Sequence, residues 1–400
     1  MGYNKERGAS PGGSGSRHRV KDRLGVLDGM RGVAVLLVLW YHTWEISWLP
    51  APAPWLQWIP ETGFIGVHLF FFLSGFVITF PFVRARHAGE PQPRWGHFAW
   101  RRFLKIVPSY VLSIAIAYVV GYAAIVRWPG TPVWAEVVTH LLFIHTWWQV
   151  TYGSINGVLW TLAIEVEFYV IFPLVWWCFA RRPWITACAM IAIAELWRIH
   201  AAQCCFSNEM PTMIENLPGY LDIFACGMLS AWIFVRYGRR VRDSRLSLAA
   251  PLLAIAGVWL LAVLLNHMYE HRLDPQWEVA LQIYTRPLYG AGFAAVALGS
   301  LAAPAAWQLL LSNPPLRFLA LISYNLYLYH QMVERLMERA HVPPYLTADP
   351  HADPAWQLRY TMLAFIVTIS QAAFVTYLFE RPLLQLPEPR RLFRAQGHSP

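Results

Sequence analysis

The sequence predicts an all-α fold: a polytopic membrane bundle of about ten transmembrane helices, with a re-entrant or surface helix near residues 135–149. Three observations carry this. First, 56% of the 400 residues are apolar and only 14% are charged, against about 25% charged in an ordinary soluble domain. So little polar surface excludes a soluble enzyme, and 21 Trp exclude a disordered chain, which is poor in aromatics. Second, apolar runs of about 20 residues, enough to cross a bilayer as a helix, recur along the chain. Third, Lys and Arg gather between alternate runs, as the positive-inside rule requires.

Taken in order, residues 1–23 are basic and rich in Gly and Ser, and read as a disordered cytoplasmic tail. The membrane domain spans 24–386, and 387–400 form a second tail. The first run, Val33–Leu49, contains His42 and Glu45 and is followed by Pro54, so it is expected to be a retained helix and not a signal peptide. Spans are expected at 33–50, 64–83, 104–126, 159–180, 184–200, 219–235, 247–266, 281–303, 318–338 and 358–379. With ten spans, the segments on the side of the N-terminus hold 24 of the 32 Lys and Arg and six acids, a net +18. Counting 135–149 as an eleventh span would place Arg181–Arg182 and Arg236–Arg245 on the other side. That segment is therefore expected to be re-entrant or to lie on the outer face, as a wall of a substrate site. The formal charge of +9 is thus a collar at one membrane face, not a nucleic-acid surface. Both termini are expected in the cytoplasm, and the protein in the cytoplasmic (inner) membrane. Five Cys, an odd number without C-x-x-C, give no zinc framework and read as inert thiols.

Ionisable residues inside spans are costly and mark function. Arg31 and His42 lie eleven residues apart, which on a helix is about 20° in angle and about 16 Å in length. One face of the first span therefore carries a cation at the cytoplasmic edge and an imidazole near mid-bilayer, with Glu45 close by. Arg101, Arg102 and Lys105 crowd the first turn of the third span. They either anchor it or form a phosphate clamp, to which Arg brings forked hydrogen bonding and Lys a point charge. Glu165 and Glu167 in the fourth span point to nearly opposite sides. Glu165 is expected at the depth of His42, in an acid–base or His-orienting role. Arg286, in the eighth span, lacks a partner that the sequence can name.

Six segments in this order resemble acyltransferase family 3, the integral membrane acyl-CoA-dependent O-acyltransferases. They are Leu27-Asp28-Gly29-x-Arg31-Gly32 with His42 following; Phe70–Thr79 with Leu73-Ser74-Gly75-Phe76; Arg101-Arg102-x-x-Lys105-x-x-Pro108; Leu159-Trp160-x-Leu162-x-x-Glu165-x-x-Phe168-Tyr169-x-x-x-Pro173; Ile322-Ser323-Tyr324-x-Leu326-Tyr327-x-x-His330; and Glu380-Arg381-Pro382. The resemblance implies an acyl-CoA co-substrate, usually acetyl-CoA, entering from the cytoplasm. It implies transfer to a hydroxyl of a carbohydrate or lipid-linked sugar acceptor, often at the outer face. Carried over, His42 is the catalytic base, with Arg31 and Glu165 beside it, and Arg101, Arg102 and Lys105 contact coenzyme A. Ser74, Trp160, Tyr169 and His330 are the expected substrate contacts, with Tyr41, Trp160 and Ser74 as candidate oxyanion donors. Three positions depart from the family pattern: His68 stands for the usual Asp, Lys105 for Arg, and Val166-Glu167 for Glu-Gln.

Two other classes compete. A transporter or flippase also needs buried charges, but no inverted repeat is visible. A haem or metal protein using His42, His68, His140, His145 or His330 lacks a fixed spacing such as H-x-x-x-H, so no metal is expected. Membrane lipids, acyl-CoA and the acceptor are the expected partners, and nucleic acid is not.

Overall fold

The computed structural model describes residues 14–204, 213–274, 280–281, 283–345 and 349–387. Among these there is no strand. Eleven helices organise the bundle: α1 Ser14–Ser47, α2 Ile65–Ala88, α3 Trp95–Val119, α4 Val133–Leu141, α5 Trp160–Phe179, α6 Pro183–Cys204, α7 Leu221–Arg242, α8 Leu246–Glu270, α9 Arg286–Ala302, α10 Pro314–Arg339 and α11 Pro354–Val375. All but α4 coincide with the ten expected spans. Among the described residues, seven helices are long and apolar enough to cross a membrane: those built on α2, α3, α5, α6, α7, α8 and α11. The other three have visible reasons for falling short. α9 has 17 residues. α1 carries Asp28, Arg31 and Glu45, and α10 carries Arg317, Glu334, Arg335, Glu338 and Arg339. Of these, Glu334 is buried, while Asp28, Arg317 and Arg339 are exposed, the two arginines toward the ends of α10.

Several expectations need adjustment. The first helix is already formed at Ser14, so residues 14–23 of the expected tail are helical; a helix once nucleated extends at little cost. Residues 1–13 and 388–400 lie outside the described residues. The third helix begins at Trp95, putting Arg101 and Arg102 in its second turn. It ends at Val119, and Gly121 follows with φ +74, the left-handed region that only Gly enters freely. Residues 133–149 are a nine-residue helix and a 3₁₀ turn, too short to span. This segment leans on the bundle through buried groups: Arg127 donates to Glu136 at 2.9 Å, Tyr110 donates to the His140 carbonyl, and the His140 and His145 rings stack at 3.8 Å. Cys178, Cys188 and Cys226 are free thiols, while Cys205 and the Cys204 side chain lie outside the description.

Close helix contacts are made by small residues, as bilayer packing favours. A Cβ on Gly75 of α2 would stand 2.5 Å from the Phe224 carbonyl of α7, and one on Gly227 would stand 2.1 Å from the Phe72 carbonyl. α6 and α7 are joined by a fully buried pair: Arg198 donates to Asp222 at 2.8 Å and to the Gly219 carbonyl at 2.6 Å. α8 turns Leu248, Leu252 and Trp259 outward, an apolar face suited to lipid. The bundle thus holds α1, α2, α5 and α10 around an interior that contains the polar residues.

Candidate active site

Two polar cavities lie in the bundle toward opposite ends. The first, at the end carrying Arg101, has a volume of about 100 Å³ and is lined by Arg31, Arg102, Lys105, Glu165, Tyr169 and Tyr324 among others. The second, about 390 Å³, is lined at the other end by Tyr41, Glu61, His68, Trp160, Tyr220, Arg272 and Arg286 among others. Val67 lines both, and Trp160 of one is followed directly by Thr161 of the other. A single layer of side chains separates them.

The smaller cavity is built by five helices, α1, α2, α3, α5 and α10. Glu165 accepts from Ser74 at 2.7 Å and from the Tyr169 hydroxyl, and Ser74 and Tyr169 contact each other at 2.8 Å. Arg102 lies over the Tyr169 ring at 5.2 Å. Lys105 is paired with Glu380, whose other oxygen accepts from Asn325 at 2.6 Å. Glu380 reaches inward because α11 continues through a π-helical turn, Thr376–Glu380, and Asn325 also grips Thr376. Such turns often mark functional sites. Arg31 and Arg102 make no ion pair among the described residues, so their charges remain available to an anion. Arg101 is exposed and donates to the Leu384 carbonyl. It lies near this cavity without lining it.

His42 lines neither cavity, but its ring neighbours lead to each. Its ring lies 5.0 Å from that of Tyr41, which lines the larger cavity, and 5.0 Å from that of His330. His330 in turn lies 5.8 Å from Tyr327, which lines the smaller one. His42 Nδ1 is 2.7 Å from Glu45 Oε2. A carboxylate can only accept, so Nδ1 holds the proton and Nε2 carries the lone pair. Gln331 Nε2 approaches the same Nδ1 at 3.3 Å, a secondary contact. His330 is buried, with Nδ1 on the Leu326 and Tyr327 carbonyls.

In the larger cavity Arg286 finds its partner in Glu215 at 2.5 Å, and Tyr220 donates to the same carboxylate. Arg272 pairs with Glu61 at 3.0 Å. His68, at the family's Asp position, sits edge-on to Tyr220 and Tyr289. Trp160 and Tyr220 lie 6.0 Å apart.

The sequence-predicted residues therefore divide. Arg31, Arg102, Lys105, Glu165, Ser74 and Tyr169 come together. His42 and His330 form a second cluster beside them, and Trp160 belongs to the larger cavity. The expected carboxylate for His42 was Glu165; the structure supplies Glu45 instead, and Glu165 is held by Ser74 and Tyr169. Glu167 does point the other way, accepting from Trp147 at 2.7 Å. Residues 135–149 line neither cavity, because Glu136, His140 and His145 turn into the segment's own packing. Glu45 had a sequence signal in its spacing of three from His42. Glu380 had one as part of the Glu380-Arg381-Pro382 segment, and Glu215 had none beyond its place near a span boundary.

A helical bundle with this many long apolar helices defines a multi-pass membrane protein, and the histidine–carboxylate pair beside its two cavities is its candidate site. A match to the family described as an acyltransferase domain (Acyl_transf_3) runs over residues 24–377, and the chain belongs to that family. It is similar to Acyltransferase MdmB of Streptomyces mycarofaciens, 31% identical over 209 residues, covering 49% of this chain and 50% of that one. It is 24% identical over 327 residues to Peptidoglycan O-acetyltransferase OatA of Listeria monocytogenes, covering 76% of this chain and 48% of that protein. It is 28% identical over 334 residues to Putative peptidoglycan O-acetyltransferase YrhL of Bacillus subtilis, covering 77% and 48%. The chain spans about half the length of these curated relatives. No solved structure matches it.

Proposed function

We propose that this protein transfers an acyl group, acetyl in the first instance, from acyl-CoA to a hydroxyl of a carbohydrate or lipid-linked acceptor across the cytoplasmic membrane. The observation that carries this reading is the His42–Glu45 pair, placed where its ring neighbours reach both cavities. The smaller cavity has room for an acyl thioester tip, and the 3′- and pyrophosphates of coenzyme A would rest at its mouth on Arg31, Arg102 and Arg101. Lys105 serves less directly, because Glu380 offsets its charge. The basic collar favours a cytoplasmic position for this end and for both termini.

The acceptor enters the larger cavity. His42 Nε2 takes the proton from its hydroxyl as the oxygen attacks the thioester carbonyl. Collapse of the tetrahedral adduct breaks the carbon–sulfur bond, and the imidazolium returns the proton to the departing thiolate. The Tyr41 hydroxyl, at the wall of the larger cavity, is a candidate donor to the oxyanion. A third cavity of about 280 Å³, lined by Leu37, Trp58, Leu261, Ala262, Leu265 and Phe293 among others, is almost wholly apolar and shares Thr62 with the larger polar one. That continuity favours an acceptor whose sugar or other polar head carries a hydrocarbon tail. The relatives named peptidoglycan O-acetyltransferases support transfer of acetyl to oxygen and suggest glycan as the alternative acceptor.

The test is incubation of protein-containing membranes with acetyl-labelled coenzyme A. Label is expected in the chloroform–methanol extract; label only in water-soluble or wall material would exclude the tailed acceptor and leave the transfer. Arg102→Ala is expected to raise KM for acetyl-CoA about 10- to 100-fold, the loss of one charge-assisted hydrogen bond of roughly 1.5–3 kcal/mol, with little change in kcat. A transporter without chemistry would give no labelled acceptor at all.

A further inference from the structure

The end of α8 carries His267-Met268-Tyr269-Glu270-His271. This is the H-x-x-x-H spacing missing from the five histidines first considered, with a carboxylate inside it. Residues at i, i+3 and i+4 share one helix face, and the ligand atoms of His267, Glu270 and His271 all lie within 4.8 Å of one another. Ligands about 2.1 Å from a tetrahedral zinc sit about 3.4 Å apart, a distance that small rotamer changes reach.

Two further contacts orient this set in the way metal ligands are oriented. Neutral His271 places Nδ1 at 2.9 Å from the His267 carbonyl, so the proton is on Nδ1 and the lone pair on Nε2. Asn266 Nδ2 donates to Glu270 Oε1 at 2.8 Å, turning the carboxylate and leaving Oε2 to the cluster. Metal-bound imidazoles and carboxylates typically have such supporting partners. The cluster also closes the C-terminus of α8, where the helix dipole favours a cation. The neighbouring Arg272 does not oppose one strongly, because Glu61 pairs with it.

We propose that His267, Glu270 and His271 bind a zinc ion at the rim of the larger cavity. Two imidazoles and one carboxylate suit Zn²⁺ better than Mg²⁺ or Ca²⁺, which prefer all-oxygen sets. Three protein ligands leave a fourth position. Because His271, Tyr269 and Arg272 line the larger cavity, an oxygen of the molecule occupying that cavity can fill it. The site stands independently of the acyl-transfer chemistry, which uses His42 and needs no metal.

The experiment is zinc titration of the detergent-purified chain, isolated through a tag without histidine, followed by calorimetry and metal analysis after dialysis. One zinc per chain is expected, with no comparable uptake of magnesium. Asn266→Leu should weaken binding about 10- to 100-fold, and His267→Ala with His271→Ala should abolish it. Cobalt in place of zinc in the unaltered protein should give the visible bands of a tetrahedral site, a reading that needs no variant to fold. Absence of a stoichiometric metal, octahedral cobalt, or full binding in the double variant would each overturn the assignment.

Discussion

His42→Ala is expected to lower the rate of acyl transfer by about 100- to 10,000-fold, the usual contribution of a positioned general base, while leaving the binding of acetyl-CoA nearly unchanged. The imidazole stands on α1, away from the cations of the smaller cavity, so its removal strips the reaction step and spares the donor contacts. Glu45→Gln separates orientation from basicity. The amide keeps the shape of the carboxylate but offers Nδ1 both a donor and an acceptor, so the tautomer with the lone pair on Nε2 is no longer enforced. Its loss should fall on kcat with KM for acetyl-CoA intact, and should be smaller than that of His42→Ala. The measurement is initial rate of label transfer in reconstituted membranes at saturating and limiting acetyl-CoA. Wild-type turnover in His42→Ala would remove the base from the mechanism, and equal losses in KM would place His42 in donor binding.

How much of this was legible in the sequence depended on which force set each feature. Span positions follow from apolar length alone, and ten expected spans coincide with ten helices. The eleventh segment was legible as non-spanning through charge parity, but its packing was not: Glu136, His140 and His145 are buried against each other and against Arg127, Tyr118 and Tyr110, contacts that no periodicity marks. The Ser74–Glu165–Tyr169 cluster was visible only as family positions; the hydrogen bonds joining α2 to α5 fix what those residues touch. Arg286 could be flagged as costly, yet Glu215 lies 71 residues earlier in a segment without periodicity. The error over Glu165 has a similar origin. Position along a span does not tell which side chain an imidazole faces. A contact within one helix, such as His42–Glu45, was readable by spacing; contacts between helices were not.

Gly29→Ala is expected to cost at least about 3 kcal/mol, the upper part of the range for overpacking a tight interior, and to lower the yield of folded protein sharply. A Cβ there would lie 1.6 Å from the Leu311 carbonyl, and a Cβ on Gly32 would lie 2.5 Å from that of Leu316. These are backbone atoms at the end of the short helix Ala305–Leu311 and in the first turn of α10, the latter fixed by Asn313, whose side chain accepts from the Leu316 amide at 2.9 Å. No rotamer change can clear them. Gly96→Ala is the control. It is also a helical glycine, but nothing lies within 4 Å of its added Cβ, so alanine should be neutral or stabilise by up to about 1 kcal/mol. Thermal unfolding followed by size-exclusion chromatography compares the two, and a Gly29→Ala protein melting with the wild type would mean that α1 does not seat on the turn at 311–316. The two glycines flank Arg31, the residue that α1 contributes to the smaller cavity. The glycines in Leu27-Asp28-Gly29-x-Arg31-Gly32 therefore act by close approach: they draw α1 onto the turn before α10, which sets the depth at which the Arg31 guanidinium meets Arg102 and, eleven residues on, the depth of His42. Where Gly32→Ala folds at all, its KM for acetyl-CoA should rise with that of Arg102→Ala.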